Sequence, residues 1–231
     1  FYLGYKIMVQ SNARAFSRPR IAAGIKKYNA KVIVSLNSSR EEVFDVMADV
    51  PGAFRQTVRG VRNLIGEGVE VAAKIIITKH NYDHLGETVR FVKGAGINDV
   101  LLVFPTPMGA ALKNFPQVVP RYADVLPAVH DALRWGLDHG MEMSVENIPA
   151  CLLDERYHGC NHEYAVKGSL DGIYVRSPKG LYNCRTERVV EQKLKLRGCK
   201  RCRHSPRCEG IYRQYLDNYG PEEFRAVQGG I

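Results

Sequence analysis

The sequence predicts an α/β fold built on a parallel sheet, and three observations carry that prediction. Four short runs are almost continuously apolar: KIMVQSN (6–12), KVIVSLN (31–37), VEVAAKIIITKHN (69–81) and DVLLVFPTP (99–107). Strands with one wet face alternate, whereas runs like these fit strands covered on both faces. Helical periodicity fills the spaces between them, and polar residues collect at the ends of the runs. Strand, helix, strand, helix is the grammar of parallel βαβ units. The pattern leaves open whether they form an open doubly wound sheet or a (β/α) barrel.

The chain opens on FYLGYKIMVQSN, without an initiator Met and already inside the first run, which reads as a piece of a longer protein. Between the second and third runs, VPGAF supplies a break. A helix follows over 53–65, with Phe54, Val58, Val61, Leu64 and Ile65 on one stripe. The next helix, 85–96, sets Leu85, Val89 and Val92 on its apolar side, and Gly94 and Gly96 stop it. A longer helix is expected over 121–139 with Gly140 as its stop, and MEMSVEN (141–147) reads as one more strand. After Pro149 the texture changes to cysteines, glycines and aromatics. The expected division is therefore an α/β body, 1–149, and a Cys-rich extension, 150–231.

At 231 residues, 45% hydrophobic and 25% charged, the chain has globular composition and enough length for one sizeable core. No apolar stretch approaches the roughly 18 residues of a membrane span, and no export signal is present. The expectation is a cytoplasmic protein with no membrane partner. GAGIND (94–99) contains GxG but precedes a strand, so a dinucleotide loop is a poor reading.

Six cysteines stand at 151, 160, 184, 199, 202 and 208. Without an export signal they read as reduced thiols for metal or redox work instead of disulfides. Cys199-x2-Cys202 forms a two-point chelate and Cys208 adds a third donor from the same loop. The fourth would be Cys151, Cys184, Cys160 or His204. Zinc and an iron–sulfur cluster both accept such a set. His80 and His84 read as polar loop residues, and His130 and His139 are assigned no chemistry.

Charge is uneven. Of the net +9, residues 185–208 carry nine Lys and Arg against Glu187 and Glu191, a net +7. Such a run is a solvated face or a patch for an anionic partner.

Three segments resemble successive units of the radical S-adenosylmethionine (radical SAM) superfamily: SLNSSREEVFDVMADVPGAFRQTVRGVRNLIGEG, IIITKHNYDHLGETVRFVKGAG and FPTPMGAALKN. The closing CxxCx5CxG, continuing IYRQYLDNYGPEEF, resembles the C-terminal auxiliary-cluster extensions of the SPASM/twitch type. The resemblance runs over about 6–115 and 146–225. It implies a partial (β/α) barrel, from about the third strand to the sixth, plus a small Cys-rich extension. It implies S-adenosylmethionine at the strand ends, at Asn12, Ser35, Asn81 and Gly109. It also implies an auxiliary [4Fe-4S] cluster on Cys151, Cys199, Cys202 and Cys208, with Cys184 or Cys160 as substitute. Tyr212 stands where a two-cluster extension has a further cysteine.

The implied activity is cleavage of S-adenosylmethionine to a 5′-deoxyadenosyl radical that abstracts a substrate hydrogen, for peptide or cofactor modification or methyl transfer. The CxxxCxxC loop of the second [4Fe-4S] cluster would precede residue 1, so the piece alone is expected to be inactive. The substrate is unknown. The auxiliary cluster would relay electrons or serve structure, and an acidic donor, flavodoxin or ferredoxin, would dock on the basic run. The alternative is a non-catalytic zinc module on an α/β body, in which Tyr212, Tyr215 and Tyr219 stack on nucleic-acid bases.

Overall fold

The computed structural model describes residues 5–165, 174–177, 180–183 and 186–228. Five strands form one sheet in sequence order: β1 (Met8–Ser11), β2 (Lys31–Ser35), β3 (Val71–Ile76), β4 (Asp99–Val103) and β5 (Glu142–Glu146). β1 to β4 pair in parallel. Between them run α1 (Pro19–Lys26), α2 (Glu41–Ala48), α3 (Ala53–Gly66), α4 (Leu85–Gly94), α5 (Gly109–Lys113), α6 (Phe115–Val118) and α7 (Tyr122–Asp138). The α/β class and the partial (β/α) barrel read from the sequence are borne out. Then come α8 (His162–Ala165), the hairpin strands β6 (Tyr174–Ser177) and β7 (Gly180–Asn183), the pair β8 (Lys193–Leu194) and β9 (Ile211–Tyr212), and α9 (Arg213–Tyr219). No helix among the described residues is long and apolar enough to cross a membrane.

Two compact units divide the chain: Phe1–Val103 with Asp131–Ser144, and Phe104–His130 with Val145–Ile231. This differs from a boundary near 150. The reason lies in aromatic pairing across more than a hundred residues of sequence. In the second unit Phe104 stacks on Tyr122 at 3.9 Å, Tyr122 meets Tyr215 at 4.7 Å, and Phe115 meets Tyr219 at 5.1 Å. The Tyr122 N–H donates to the Tyr215 hydroxyl at 2.9 Å, and the Tyr215 hydroxyl donates to Glu223. Burial pushes the Tyr122 phenol well up, and burial followed by Glu223 does the same to Tyr215.

In the first unit the sheet is covered on one face. Val32, Val34, Ala73, Ile75, Val100 and Leu102 are all fully or nearly fully buried there. The opposite face carries Gln10, Ile33, Ser35, Lys74 and Leu101, which are exposed or half-buried, beside the buried Ala72 and Val103. The expectation of two covered faces is corrected on this point: Gln10, Ser35 and Lys74 interrupt the apolar runs on one side alone.

Helix α3 fixes the turn after β1. Asp45 at the end of α2 accepts the N–H of Phe54 at 2.8 Å and that of Gly52, so a carboxylate caps the positive end of α3. Thr57 donates to the Asn12 carbonyl at 2.9 Å and Asn63 to the Phe16 carbonyl at 2.8 Å. Gly60 permits this approach, because an added Cβ would overlap the Ala13 carbonyl. Gly60→Ala should therefore cost on the order of 1–3 kcal/mol in urea unfolding, the range for overpacking against an unyielding neighbour. An unchanged midpoint would mean the turn is slack.

Candidate metal centre and strand-end site

The cysteine loop is built by a short β-ladder. β8 and β9 pair antiparallel, Lys193 opposite Tyr212 and Leu194 opposite Ile211, and close the intervening residues 195–210 into one loop. Gly210 holds a φ of +102°, and an added Cβ would collide with the Leu194 backbone, so the ladder needs glycine at this step. Beneath it lies a buried ion cluster. The Lys193 ammonium, 1% exposed, sits 2.9 Å from Glu163 and 2.6 Å from Glu209. Glu163 also accepts the Glu209 N–H at 3.3 Å, which ties α8 to the base of the loop.

Inside the loop, successive turns aim thiols at one pocket. Cys202 N–H donates to the Cys199 carbonyl at 3.1 Å, and Cys208 N–H to the His204 carbonyl at 2.9 Å. Cys151 arrives from the 3-10 turn Ala150–Leu152 behind Pro149. Cys151, Cys199, Cys202 and Cys208 line a single pocket whose wall includes Pro149, Ile211, Phe224 and Ala226. Burial pushes the Cys151 thiol up to about 12, helped by Cys208, Cys202 and Cys199, whose thiolates would be like charges. Burial likewise pushes Cys208 up to about 11, with Glu163 adding to it. The Gly210 N–H donates to the Cys208 sulfur at 3.3 Å. Among the described residues, no three His, Cys, Asp or Glu side chains are gathered so as to hold one metal ion.

Of the other donors named from sequence, Cys160 is half-buried and does not line this pocket, and its thiol is pushed up by burial alone. Cys184 lies outside the described residues. His204 is buried against the pocket, edge-on to His158 at 4.8 Å, and burial lowers its imidazole. Lys195, Arg197, Lys200, Arg201, Arg203, Arg207 and Arg225 are exposed on the loop and beside it. Arg203 pairs with Glu155 at 3.2 Å. Tyr212 and Tyr215 are 2% and 0% exposed, so they offer no stacking platform for bases. Tyr219, the third tyrosine of the nucleic-acid alternative, is half-buried.

The strand-end residues fare differently. Asn12 follows β1 and its side-chain oxygen accepts the Arg14 N–H at 3.2 Å, while Ser35 ends β2 half-buried. Asn81 is 0% exposed and wholly committed to protein partners. Its amide donates to the Asn37 carbonyl at 2.6 Å and the Ile76 carbonyl at 2.9 Å, and its oxygen accepts from Thr78 N–H at 2.7 Å and Thr78 hydroxyl at 3.3 Å. That side chain clamps the ends of β2 and β3 and has no bonding capacity left for a ligand. Gly109, in the second unit, opens α5 with a φ of +55° and is exposed.

His84 makes an arrangement absent from the sequence reading: Nε2 lies 3.0 Å from Ser38 Oγ and Nδ1 2.7 Å from Asp83. The spacing is that of a hydrolytic triad, but Ser38 is 0% exposed and no substrate atom reaches it. Its hydroxyl instead accepts the Arg40 N–H at 3.0 Å and shapes the loop after β2. A larger cavity of about 560 Å3 lies at the N-terminal ends of β1 to β3, lined by Tyr5, Met8, Tyr28 and Glu70. Parallel sheets bind ligands at the opposite end, and Lys26, Lys31 and Glu70 in its wall are bonded to protein partners.

Comparison with known proteins comes down on one side. No protein-family model matches the chain. The AdoMet-dependent heme synthase of Oleidesulfovibrio alaskensis is 28% identical over 100 residues, which cover 42% of this chain and 26% of that protein. The chain thus spans about a quarter of the length of this curated relative. Native anSMEcpe with bound AdoMet and the Cp18Cys peptide matches 96% of this chain and 70% of its own, at 15% identity and a TM-score of 0.61. Native anSMEcpe with bound AdoMet matches 97% and 71%, at 14% identity and a TM-score of 0.59. At such identities the structural likeness establishes the fold. In fold this chain is similar to these AdoMet-bound structures, and over 100 residues its sequence is similar to the AdoMet-dependent heme synthase.

Proposed function

We propose that the chain is the C-terminal part of a radical SAM enzyme that binds S-adenosylmethionine at its strand ends and holds an auxiliary [4Fe-4S] cluster on Cys151, Cys199, Cys202 and Cys208. The observation that carries this reading is the ring of four thiols around one apolar pocket, on a fold shared with AdoMet-bound proteins. The donor set fits the group. Four thiolates complete a cuboidal cluster, and an N–H on a ligating sulfur, as Gly210 supplies, is the kind of bond that sets its potential. One zinc ion would draw its thiolates to about 3.8 Å of each other, given Zn–S bonds of about 2.3 Å.

When bound, S-adenosylmethionine and the radical-generating cluster supply a 5′-deoxyadenosyl radical that takes a hydrogen atom from substrate. This chain's residues bind and orient. Ser35 and Asn12 offer neutral hydrogen bonds that add no charge beside the cofactor. The 231 residues contain no CxxxCxxC to hold that cluster, and without it the chain would not generate the radical. A peptide or cofactor-precursor substrate is supported by the bound peptide of one structural neighbour and the name of the curated relative. The exposed cations beside the pocket suit an acidic electron donor such as flavodoxin or ferredoxin. Reduced thiols suit a cytoplasmic setting.

The test is iron and acid-labile sulfide per chain after anaerobic reconstitution. About four of each are expected, lost on Cys202→Ala and kept on Cys160→Ala. One zinc and no sulfide would overturn the reading.

A further inference from the structure

Three segments that lie far apart in sequence meet at the Tyr212 hydroxyl. It donates to Asn147 Oδ1 at 3.0 Å and stands 3.2 Å from Thr106 Oγ1. Asn147 in turn donates through Nδ2 to the Phe104 carbonyl at 3.1 Å and to Thr106 Oγ1 at 3.3 Å. These contacts fix the direction of each bond in the cycle. A carbonyl only accepts, so the amide nitrogen of Asn147 must face Phe104 and its oxygen must face Tyr212. The single phenolic proton is spent on that oxygen, which leaves Thr106 as the donor to Tyr212. Asn147 to Thr106, Thr106 to Tyr212 and Tyr212 to Asn147 then run in one sense, the arrangement in which hydrogen bonds reinforce one another. Tyr212 and Asn147 are 2% and 3% exposed, so little water competes for them.

The cycle joins the cysteine pocket to a strand-end segment. Gly210 and Ile211 line that pocket, and Tyr212 is the next residue of β9. Its ladder partner is Lys193, whose ammonium lies 4.9 Å over the phenol ring, so the base of the loop holds the ring. Phe104 and Thr106 open the segment that leads to Met108 and Gly109, and the Met108 N–H closes back on the Thr106 carbonyl at 2.8 Å. Asn147 is the element with two arrangements. Its φ of +65° is left-handed, a conformation that asparagine tolerates better than most residues but at a cost. The Tyr122 hydroxyl on its carbonyl, at 2.9 Å, and the Tyr212 hydroxyl on its side chain support it there. Without the phenolic bond, Asn147 can turn to negative φ and give up its hold on Phe104 and Thr106.

We propose that Tyr212 is a positioning residue that couples the cysteine pocket to segment 104–109, so that metal on the thiols orders that segment. Metal fixes the loop 195–210, the ladder carries the constraint to the phenol, and the phenol holds Asn147 and Thr106 in place. The inference rests on reading the thiols as a metal site and residues 104–109 as part of the ligand-binding strand ends. It goes beyond that reading by making the second depend on the first. An empty pocket leaves the segment loose, and the chain takes up its small-molecule ligand well only once its metal group is in place. Coupling of this kind is reciprocal, so ligand on the segment also tightens the metal.

The experiment follows amide hydrogen exchange of residues 104–112 in the full chain by mass spectrometry, with and without Cd2+ as the probe. Cadmium uptake is read separately from thiolate-to-metal absorption, and residues 53–66 of α3 serve as the control. In the parent chain Cd2+ should slow exchange of 104–112 about tenfold, within the usual range of coupling between sites. In Tyr212→Phe at saturating Cd2+, the same uptake should slow it less than about twofold. A phenol that serves the fold alone would speed exchange equally in both states and leave the ratio at about tenfold, which overturns the proposal. Asn147→Gly keeps the left-handed backbone without the side chain. It should lose the ratio as Tyr212→Phe does, and a ratio retained there overturns the proposal as well. A chain that takes up no cadmium ends the metal-site reading and this inference together. Uptake by the parent chain without slowing ends this inference alone.

Discussion

Replacing Lys193 with Met is expected to lower the unfolding free energy by about 3–5 kcal/mol, the range for removing one partner from a buried ion cluster. The loss comes less from the attraction surrendered than from what stays behind. Glu163 and Glu209 are 5% and 13% exposed at their side chains, and without the ammonium they are left as two facing carboxylates in a dry site. The triple variant Lys193→Met, Glu163→Gln, Glu209→Gln should recover most of the loss, because neutral amides need no counter-charge. Urea unfolding followed by circular dichroism distinguishes the two. A triple variant no better than the single would mean that Lys193 acts through its packing over the Tyr212 ring, 4.9 Å away, and not through charge.

The metal-free chain should also lose stability in alkali, starting at the cysteine pocket. Cys151 and Cys208 are pushed up from an ordinary value of 9.0 to about 12 and about 11. Both shifts are upward, so the fold prefers the protonated thiols. Their contribution is complete below about pH 9 and drains away as pH rises from 9 toward 12, on the order of a few kcal/mol together. Lysines and tyrosines titrate in the same range, so the comparison is with Cys151→Ser. The stability curves of the two chains should run parallel below about pH 9 and converge or cross above it. Curves that stay parallel would mean the pocket is wetter than its lining suggests. Cluster loading reverses the sign, since metal charge holds the thiolates and expels the protons.

What the sequence made legible follows the range of the forces involved. Strands β1 to β5 and helices α3, α4 and α7 were readable because apolar periodicity is local. Helix α1 was not, since it buries a single residue, Ala22, and leaves no stripe to read. The loop cysteines were legible from spacing, whereas Cys151 reaches the pocket from some fifty residues upstream, so the residues alone left it one of four candidates and the resemblance singled it out. Asn81 had the residue type of a ligand contact, yet its four bonds are spent on Asn37, Ile76 and Thr78, partners no spacing rule reveals. The aromatic pairing that joins residues 104–122 to 215–224 is invisible locally, which is why the boundary was drawn elsewhere.

The β8–β9 ladder has a bearing on how such a protein would mature. It closes the sixteen residues 195–210 through backbone bonds and a buried ion cluster, without help from the cysteines. Closing a loop of that size costs about 3 kcal/mol of chain entropy, and the ladder and the ion cluster offset part of it. If the loop holds a cluster, one destroyed by oxygen would leave those contacts in place, and refilling would not have to start from an unstructured segment.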